Sequence, residues 1–150
     1  MTRERILQVL DAYYDAFNRM DEQGVLGAFT DDATFVDLTM ERTMHGPKEL
    51  SGFLAETWSR SPYFRLEPEN ILVDGAQAAA RVQMSGAAKV GPDGLPRPAD
   101  VWRIPSTSFF RFDNDKISWK ADSWNMLAIP RQLGWFKAVR DLGALKALRA

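Results

Sequence analysis

The sequence predicts a single α+β domain. Apolar residues recur at spacings of three and four in the first third of the chain, whereas from residue 65 onward apolar and polar residues alternate. The first period is typical of helices and the second of strands. We therefore expect four strands at roughly 65–74, 77–90, 100–113 and 116–125, paired antiparallel because no helix separates them. A length of 150 residues fits one domain spanning 1–150.

Composition excludes several classes of function. The formal net charge is -1 and the pI about 5.8, so a nucleic-acid partner is not expected. The chain has no cysteine and one histidine, His45, which excludes disulfides, zinc–thiolate sites and sites of several histidines. We expect neither a metal nor another cofactor. No apolar run reaches about 18 residues, and the first residues lead into an amphipathic pattern. We therefore expect a cytoplasmic protein that does not contact membranes.

Three helices are predicted before residue 65. The apolar face of the first is formed by Ile6, Val9, Leu10, Tyr13, Phe17 and Met20. A short second helix follows from residue 21. The third begins at Pro47, which suits a first helical turn, and its buried stripe includes Leu50, Phe53, Leu54 and Trp58. Near the other end of the chain, residues 135–150 form an amphipathic pattern that predicts a C-terminal helical tail.

A strand over 33–38 and a short return strand before Gly46 are predicted between the second and third helices. Asp37 lies in this first strand, on the face that carries Phe35. An acid in an apolar strand is costly unless it is paired or used. Asp37 is therefore a candidate catalytic acid, and the alternative is an acid at a strand end in contact with water.

The four long strands are joined by recognisable turns. Asp74-Gly75 and Asp113-Asn114-Asp115 predict hairpins, and the proline- and glycine-rich segment 91–98 predicts a loop. Neither face of the predicted sheet is uniformly polar. We therefore expect both faces to be covered, and the outer one by a second copy in a homodimer. The residues expected at that interface are Val82, Met84, Ile117 and Trp119.

Asp122 is the main candidate for proton transfer. It alternates with Trp124 on the last strand, so both side chains point to the same side. An acid in an aromatic-walled pocket is desolvated, which raises its pKa and suits it to general acid/base catalysis. Arg81, if it faces the same pocket, would hold one acid ionised. The alternative is a structural ion pair between Arg81 and Asp122.

Neutral donors and aromatic walls complete the predicted site. Tyr13, Gln83 and Ser108 could donate hydrogen bonds to a developing enolate or alkoxide. The side chains predicted to contact a flat, apolar ligand are Trp58, Trp102, Phe110 and Trp124. Ordinary core packing is the alternative for these aromatic residues.

The order of elements resembles the nuclear transport factor two-like superfamily. That resemblance implies a cone-shaped, curved antiparallel sheet, an α+β barrel, wrapped around the N-terminal helices and enclosing a pocket. The segments 13–18 and 31–37 are similar to the opening of ketosteroid isomerases. In those enzymes a helical tyrosine, at the position of Tyr13, is an oxyanion donor, and an acid at the position of Asp37 is the base. Ser108 occupies the position of their protonated acid.

The segment 122–134 resembles SnoaL-like polyketide cyclases. In that group an acid at the position of Asp122 is the general acid/base, and a histidine stands where this chain has Ser108. Limonene-type epoxide hydrolases are also similar. Their motif Arg-x-Asp corresponds to Arg81-Val82-Gln83, with Gln83 in place of the proton-donating acid, and their water-activating acid corresponds to Asp122.

These observations predict a cofactor-independent acid/base enzyme of secondary metabolism. It would cyclise or isomerise a hydrophobic, carbonyl-bearing small molecule such as a polyketide intermediate. Epoxide hydrolysis, with Asp122 activating water, is the first alternative. A non-catalytic small-ligand-binding module is the second, and an ion pair in place of a free acid would favour it.

Overall fold

The computed structural model describes residues 1–87 and 89–134, and the predicted tail over 135–150 lies outside these ranges. Four α-helices lie within them. They are α1 (Arg3–Asn18), α2 (Glu22–Gly27), α3 (Gly46–Arg60) and α4 (Ala128–Gln132). A single 3-10 turn, Pro98–Asp100, follows the predicted loop. The three predicted N-terminal helices are thus confirmed, with α3 beginning one residue before Pro47.

Within the described ranges, six strands form one sheet. They are β1 (Phe29–Asp37), β2 (Arg42–His45), β3 (Tyr63–Asp74), β4 (Gln77–Ala87), β5 (Val101–Asp113) and β6 (Lys116–Trp124). Their order in the sheet is β2-β1-β6-β5-β4-β3. The four predicted long strands pair antiparallel in sequence order, whereas β1 runs parallel to β6. The α+β class is confirmed. The sheet is mixed and not closed, which corrects the prediction of an antiparallel barrel. The parallel pairing is possible because a long stretch of chain connects β1 to β6.

Both predicted hairpins are present. Asp74 pairs with Gln77, and Gly75 between them has a positive φ of 55°. Asp113 pairs with Lys116, and the two residues between them, 114 and 115, have φ values of 48° and 62°. Two consecutive positive φ values match the tight turn whose twist suits antiparallel strands.

The core lies between the helices and the concave face of the sheet. Aromatic rings of α1 pack on β5, and the centroids of Tyr13 and Phe110 are 6.3 Å apart. Asn18, at the end of α1, ties this helix to β3. Its side-chain nitrogen donates to the Leu66 carbonyl at 2.9 Å, and its oxygen accepts from the Leu66 N–H at 2.8 Å. The helix is therefore docked on the sheet edge by a two-way polar contact as well as by apolar packing.

A bulge in β6 changes which of its residues face inward. Trp119 pairs with Arg111, whereas Ile117 pairs with Phe112, so Ser118 is an extra residue on β6. An extra residue reverses the alternation of side chains beyond it. Ile117 is consequently fully buried in the core instead of lying beside Trp119 on the outer face, and the expectation that both residues contact a second subunit is wrong for Ile117.

The other residues predicted at a dimer interface also lie inside. Val82 and Met84 belong to the hydrophobic core. The outer face instead exposes Leu72 and Phe109, which are more than half accessible. Association of two copies through the outer face stays a prediction, and the apolar side chains available to it are different from those expected.

We expect Asn18→Ala to lower the free energy of unfolding by about 2 kcal/mol, because it leaves two backbone groups of the buried Leu66 without their partner. Chemical denaturation followed by circular dichroism measures this. Asn70→Ala is the matched control, since Asn70 is exposed on the same strand β3. Equal stabilities of the two variants would contradict the docking role of Asn18.

Candidate active site

A cavity of about 360 Å³ lies between α1, α3 and the inner face of the sheet. Its walls are mostly apolar, and Ile129 and Leu133 close one part of it from the C-terminal side. This size accommodates a small molecule of one or two rings. The residues predicted at the site that line the cavity are Tyr13, Asp37, Trp102, Ser108, Asp122 and Trp124.

Arg81 and Gln83 do not line this cavity. Val82 and Met84 fill the inner face of β4, so strand alternation directs Arg81 outward. Its Nε lies 2.9 Å from Glu69 Oε2, and its side chain is 66% exposed. The Gln83 amide donates to the Met84 and Ile104 carbonyls at 3.2 and 3.1 Å. The expectation that these two residues face the same pocket as Asp122 is therefore corrected.

Trp58 and Phe110 are packing residues. The Phe110 ring is fully buried between the rings of α1 and the neighbouring Phe112, with centroids 6.1 Å apart in the latter pair. The Trp58 ring packs on Phe17 at 5.6 Å. Neither residue lines the cavity. They pack against residues that line the cavity, Phe110 against Tyr13 and Trp58 against Phe17. This corrects their predicted role as ligand contacts.

Asp122 is held by two side chains within the cavity. The Ser108 hydroxyl donates to Asp122 Oδ1 at 2.6 Å, across the β5–β6 pairing. The Lys120 ammonium donates to Asp122 Oδ2 and forms an ion pair with it. The Asp122 side chain is 21% exposed, whereas that of Lys120 is 2% exposed. The carboxylate is therefore the partner that a ligand in the cavity can reach.

Lys120 is the functional candidate that sequence reasoning missed. Its Nζ lies 4.4 Å from the ring centroid of Phe35, and 5.7 and 5.6 Å from those of Tyr13 and Phe110. Ring faces attract a cation and partly replace its lost hydration. Two signals in the sequence could have identified it. Lys120 is two residues from Asp122, so both side chains lie on one face of the strand, and a buried lysine is almost always paired.

Burial lowers the pKa of Lys120, and the negative charges of Asp122 and Asp37 oppose that effect. Both effects on the pKa arise because Lys120 is buried beside carboxylates. An ammonium that leaves water loses hydration, and a nearby carboxylate restores part of the lost stabilisation. Lys120 therefore depends on the neighbouring carboxylates to remain charged at this buried position.

Two tyrosines of α1 approach the pair. Burial raises the pKa of Tyr13 and of Tyr14, and the charge of Asp122 raises both further, so both hydroxyls stay protonated. The Tyr14 hydroxyl is buried without a hydrogen-bond partner among the described residues, and Ser108 acts to lower its pKa. Tyr14 was not predicted. It is a second protonated hydroxyl near Ser108, and it does not line the cavity.

Asp37 has a largely structural set of contacts. Its Oδ1 accepts from the backbone N–H groups of Thr39 and Met40 at 3.0 and 2.9 Å, and its Oδ2 accepts from Trp124 Nε1 at 3.4 Å. These bonds stabilise the turn after β1 and fix the indole of Trp124. Asp37 thus positions a cavity wall, and its predicted part as a second catalytic acid stays a prediction.

The described part of the chain contains no cluster of three or more histidine, cysteine, aspartate or glutamate residues arranged to hold a metal ion. Within the same ranges, 1–87 and 89–134, no helix combines the length and apolar character needed to cross a membrane.

Residues 10–119 match the family model of the SnoaL-like domain. The chain therefore belongs to the SnoaL-like family. The match ends one residue before Lys120, so the Lys120–Asp122 pair lies outside the segment that establishes the family. None of the curated proteins is significantly similar in sequence.

Solved structures share the nuclear transport factor two-like fold. One is a protein with a ketosteroid isomerase-like fold from Catenulispora acidiphila in complex with trimethylamine, with a TM-score of 0.75 at 19% identity, covering 85% of this chain and 92% of that one. Another is a protein from Shewanella denitrificans named as a SnoaL-like polyketide cyclase, with a TM-score of 0.74 at 18% identity and coverages of 89% and 99%.

A third is a protein of unknown function from Burkholderia pseudomallei, with a TM-score of 0.73 at 20% identity, covering 89% of this chain and 98% of that one. Identities at this level establish a shared fold. Activity has to be argued from the residues of the cavity.

We expect the contribution of Lys120 to stability to increase with pH. Its pKa is lower in the folded chain than the ordinary lysine value of 10.5, so between the two values the unfolded chain binds more protons. The free energy of unfolding of the native protein minus that of Lys120→Met should therefore rise from about pH 7 to pH 10. Urea titrations across this range measure the difference.

Lys116→Met is the control, because Lys116 is exposed at the start of the same strand. Its difference from the native protein should be flat over this range. Parallel stability curves for the native protein and Lys120→Met would show that burial does not perturb this ammonium.

Proposed function

We propose that the protein is an acid/base enzyme that isomerises or cyclises a hydrophobic, carbonyl-bearing small molecule, with Asp122 as the group that moves the proton. The observation that carries this proposal is the buried Lys120–Asp122 pair in a cavity with mostly apolar walls, with the carboxylate as its more accessible member. A carboxylate beside a cation is suited to removing a proton from carbon while the resulting negative charge is stabilised.

In the proposed reaction, Asp122 takes a proton from the carbon next to the substrate carbonyl. The electron pair of the broken C–H bond forms the enolate double bond, and the carbonyl oxygen becomes negative. The Lys120 ammonium lies 5.7 Å from the centre of the Tyr13 ring, and in the proposed reaction its charge and the protonated Tyr13 hydroxyl stabilise this oxygen. Where the substrate has a carbon–carbon double bond conjugated with the enolate, Asp122 then returns the proton to the far carbon of that bond, and the double bond shifts into conjugation with the re-formed carbonyl, which completes an isomerisation.

Cyclisation uses the same first step. The enolate carbon attacks a second carbonyl of the same substrate, forming a carbon–carbon bond, and the oxygen of that carbonyl receives the proton held by Asp122. No external oxidant or reductant is required. Ser108 holds Asp122 through Oδ1 and Lys120 holds it through Oδ2, so the orientation of the carboxylate is fixed. A flat substrate suits the cavity because Trp102 and Trp124 form part of its wall.

Family membership supports the same class of chemistry. The chain belongs to the SnoaL-like family, and a structural neighbour is named as a polyketide cyclase. The substrate class is inferred from the cavity itself, which has space for one or two fused rings and few polar contacts.

Ligand binding without catalysis is the second candidate, and the ion pair is the observation that favours it. Both oxygens of the Asp122 carboxylate already accept hydrogen bonds, one from Ser108 and one from Lys120, so fewer of its lone pairs are open to a proton from a ligand. Epoxide hydrolysis has no comparable support, because Arg81 lies on the outer face of the sheet, away from Asp122.

We expect the protein to accelerate hydrogen–deuterium exchange next to the carbonyl of α-tetralone in heavy water, as followed by proton NMR. This bicyclic ketone fits the cavity and reports proton abstraction directly. Asp122→Asn should lower the rate of exchange by about 10²–10⁴, because the amide cannot accept the proton. Exchange at the solvent rate in the native protein, or unchanged exchange in Asp122→Asn, would contradict the proposed role.

Asp100→Asn is the control for this experiment, since Asp100 lies in the 3-10 turn and does not line the cavity. Calorimetric titration of the same ketone separates the two candidate functions. Binding without accelerated exchange would support the ligand-binding module, whereas accelerated exchange that depends on Asp122 supports the enzyme.

A further inference from the structure

Three charged side chains lie at the accessible end of the cavity and have no part in the proposed proton transfer. Arg42 on β2, with Glu56 and Arg60 on α3, all line it. Arg42 Nη1 lies 2.7 Å from Glu56 Oε2, and Arg60 Nη2 lies 2.6 Å from Glu56 Oε1. We call Arg42, Glu56 and Arg60 the rim. Both arginines are substantially exposed, unlike the residues deeper in the cavity.

The rim has one net positive charge. The hydrogen bond from Arg42 lowers the pKa of Glu56, and the charges of Arg42 and Arg60 reinforce this effect, so the carboxylate stays ionised. The two guanidinium groups together exceed its charge by one. Each guanidinium has five N–H donors, and Glu56 engages only a part of them. The remaining donors are available to a further acceptor at the rim.

The deep end of the cavity has a different character. There the Lys120 ammonium is already paired with Asp122, whereas Asp37 lies between this pair and the rim, opposite Arg42 in the β1–β2 register and beside Asp122 in the β1–β6 register. Arg42 also lies over the ring of Phe53, with its guanidinium carbon 5.6 Å from the centroid, so an apolar wall leads directly from the rim inward. A ligand with an anionic group is therefore oriented with that group at the rim.

We propose that the cavity selects a ligand with a single carboxylate, held by Arg42 and Arg60, and an aromatic or otherwise apolar body that extends toward Asp122. This inference rests on the proposed function, because it assigns the substrate class of the same site. One carboxylate balances the one net charge of the rim, whereas a doubly charged phosphate would exceed it. Guanidinium groups are suited to this task because their donors match the two carboxylate oxygens.

The stability of the fold does not explain why these charged residues lie at the rim. Exposed ion pairs contribute little to stability. The chain offers a comparison in Arg81, which forms an ion pair with Glu69 on the outer sheet face and has a side chain as exposed as that of Arg60, at 66% and 67%. The two arginines differ in position relative to the cavity, so they separate a ligand-binding role from a general effect of charge.

Isothermal titration calorimetry with naphthylacetate and naphthylethanol tests the proposal. These probes share an aromatic body that fits the cavity and differ in the carboxylate. At low salt, the native protein should bind naphthylacetate about fivefold more tightly than naphthylethanol, and Arg60→Gln should remove most of this preference. Arg42→Gln should act in the same direction, and Glu56→Gln should strengthen naphthylacetate binding, because the rim then has two net positive charges.

Arg81→Gln should leave both affinities within twofold of the native values. Added salt should weaken the preference of the native protein, because the rim is accessible to counterions. Equal affinities for the two probes in the native protein would overturn the rim proposal while leaving the proposed proton transfer intact. Binding of neither probe, or loss of the preference in Arg81→Gln as well, would also overturn it, and circular dichroism confirms that each variant is folded.

Discussion

The burial of the Lys120 ammonium is the constraint on which the rest of the site depends. A lysine with almost no access to water is stable only if other groups replace its hydration. Asp122 supplies a charge, and the rings of Phe35, Tyr13 and Phe110 supply their negative faces. Removing Asp122 would leave an uncompensated charge in the core, and removing a ring would take away part of what replaces the hydration of Lys120. The aromatic cluster and the carboxylate therefore form one unit.

The bulge at Ser118 brings this unit together. Without the extra residue, the inward face of β6 would continue from Ile117 to Trp119, and Lys120 and Asp122 would point to the outer face. With it, Ile117 contributes to the core at one end of the strand while Lys120, Asp122 and Trp124 line the cavity at the other. The parallel pairing with β1 then places Asp37 beside Asp122 in the register, so that the turn after β1 and the acid are adjacent.

The two ends of the cavity differ in their charged residues. Its deep end contains the buried pair and its accessible end contains the rim, with apolar walls between them. An apolar wall binds without orienting, whereas fixed charges at the two ends distinguish one orientation of a polar ligand from the other. The proposed proton transfer and the proposed carboxylate site are thus complementary uses of one cavity.

The sequence by itself determined the class of fold, the positions of the helices and long strands, and both hairpins, because periodicity and turn residues act over a few neighbouring positions. It also identified Asp122, Tyr13 and Ser108 as cavity residues. Only the tertiary structure decided which face of each strand turns inward, and therefore that Arg81 lies outside. The tertiary structure also decided that Lys120 pairs with Asp122 inside the cavity. The physical reason is that alternation defines two faces but not which one is buried, and one bulge reverses the assignment.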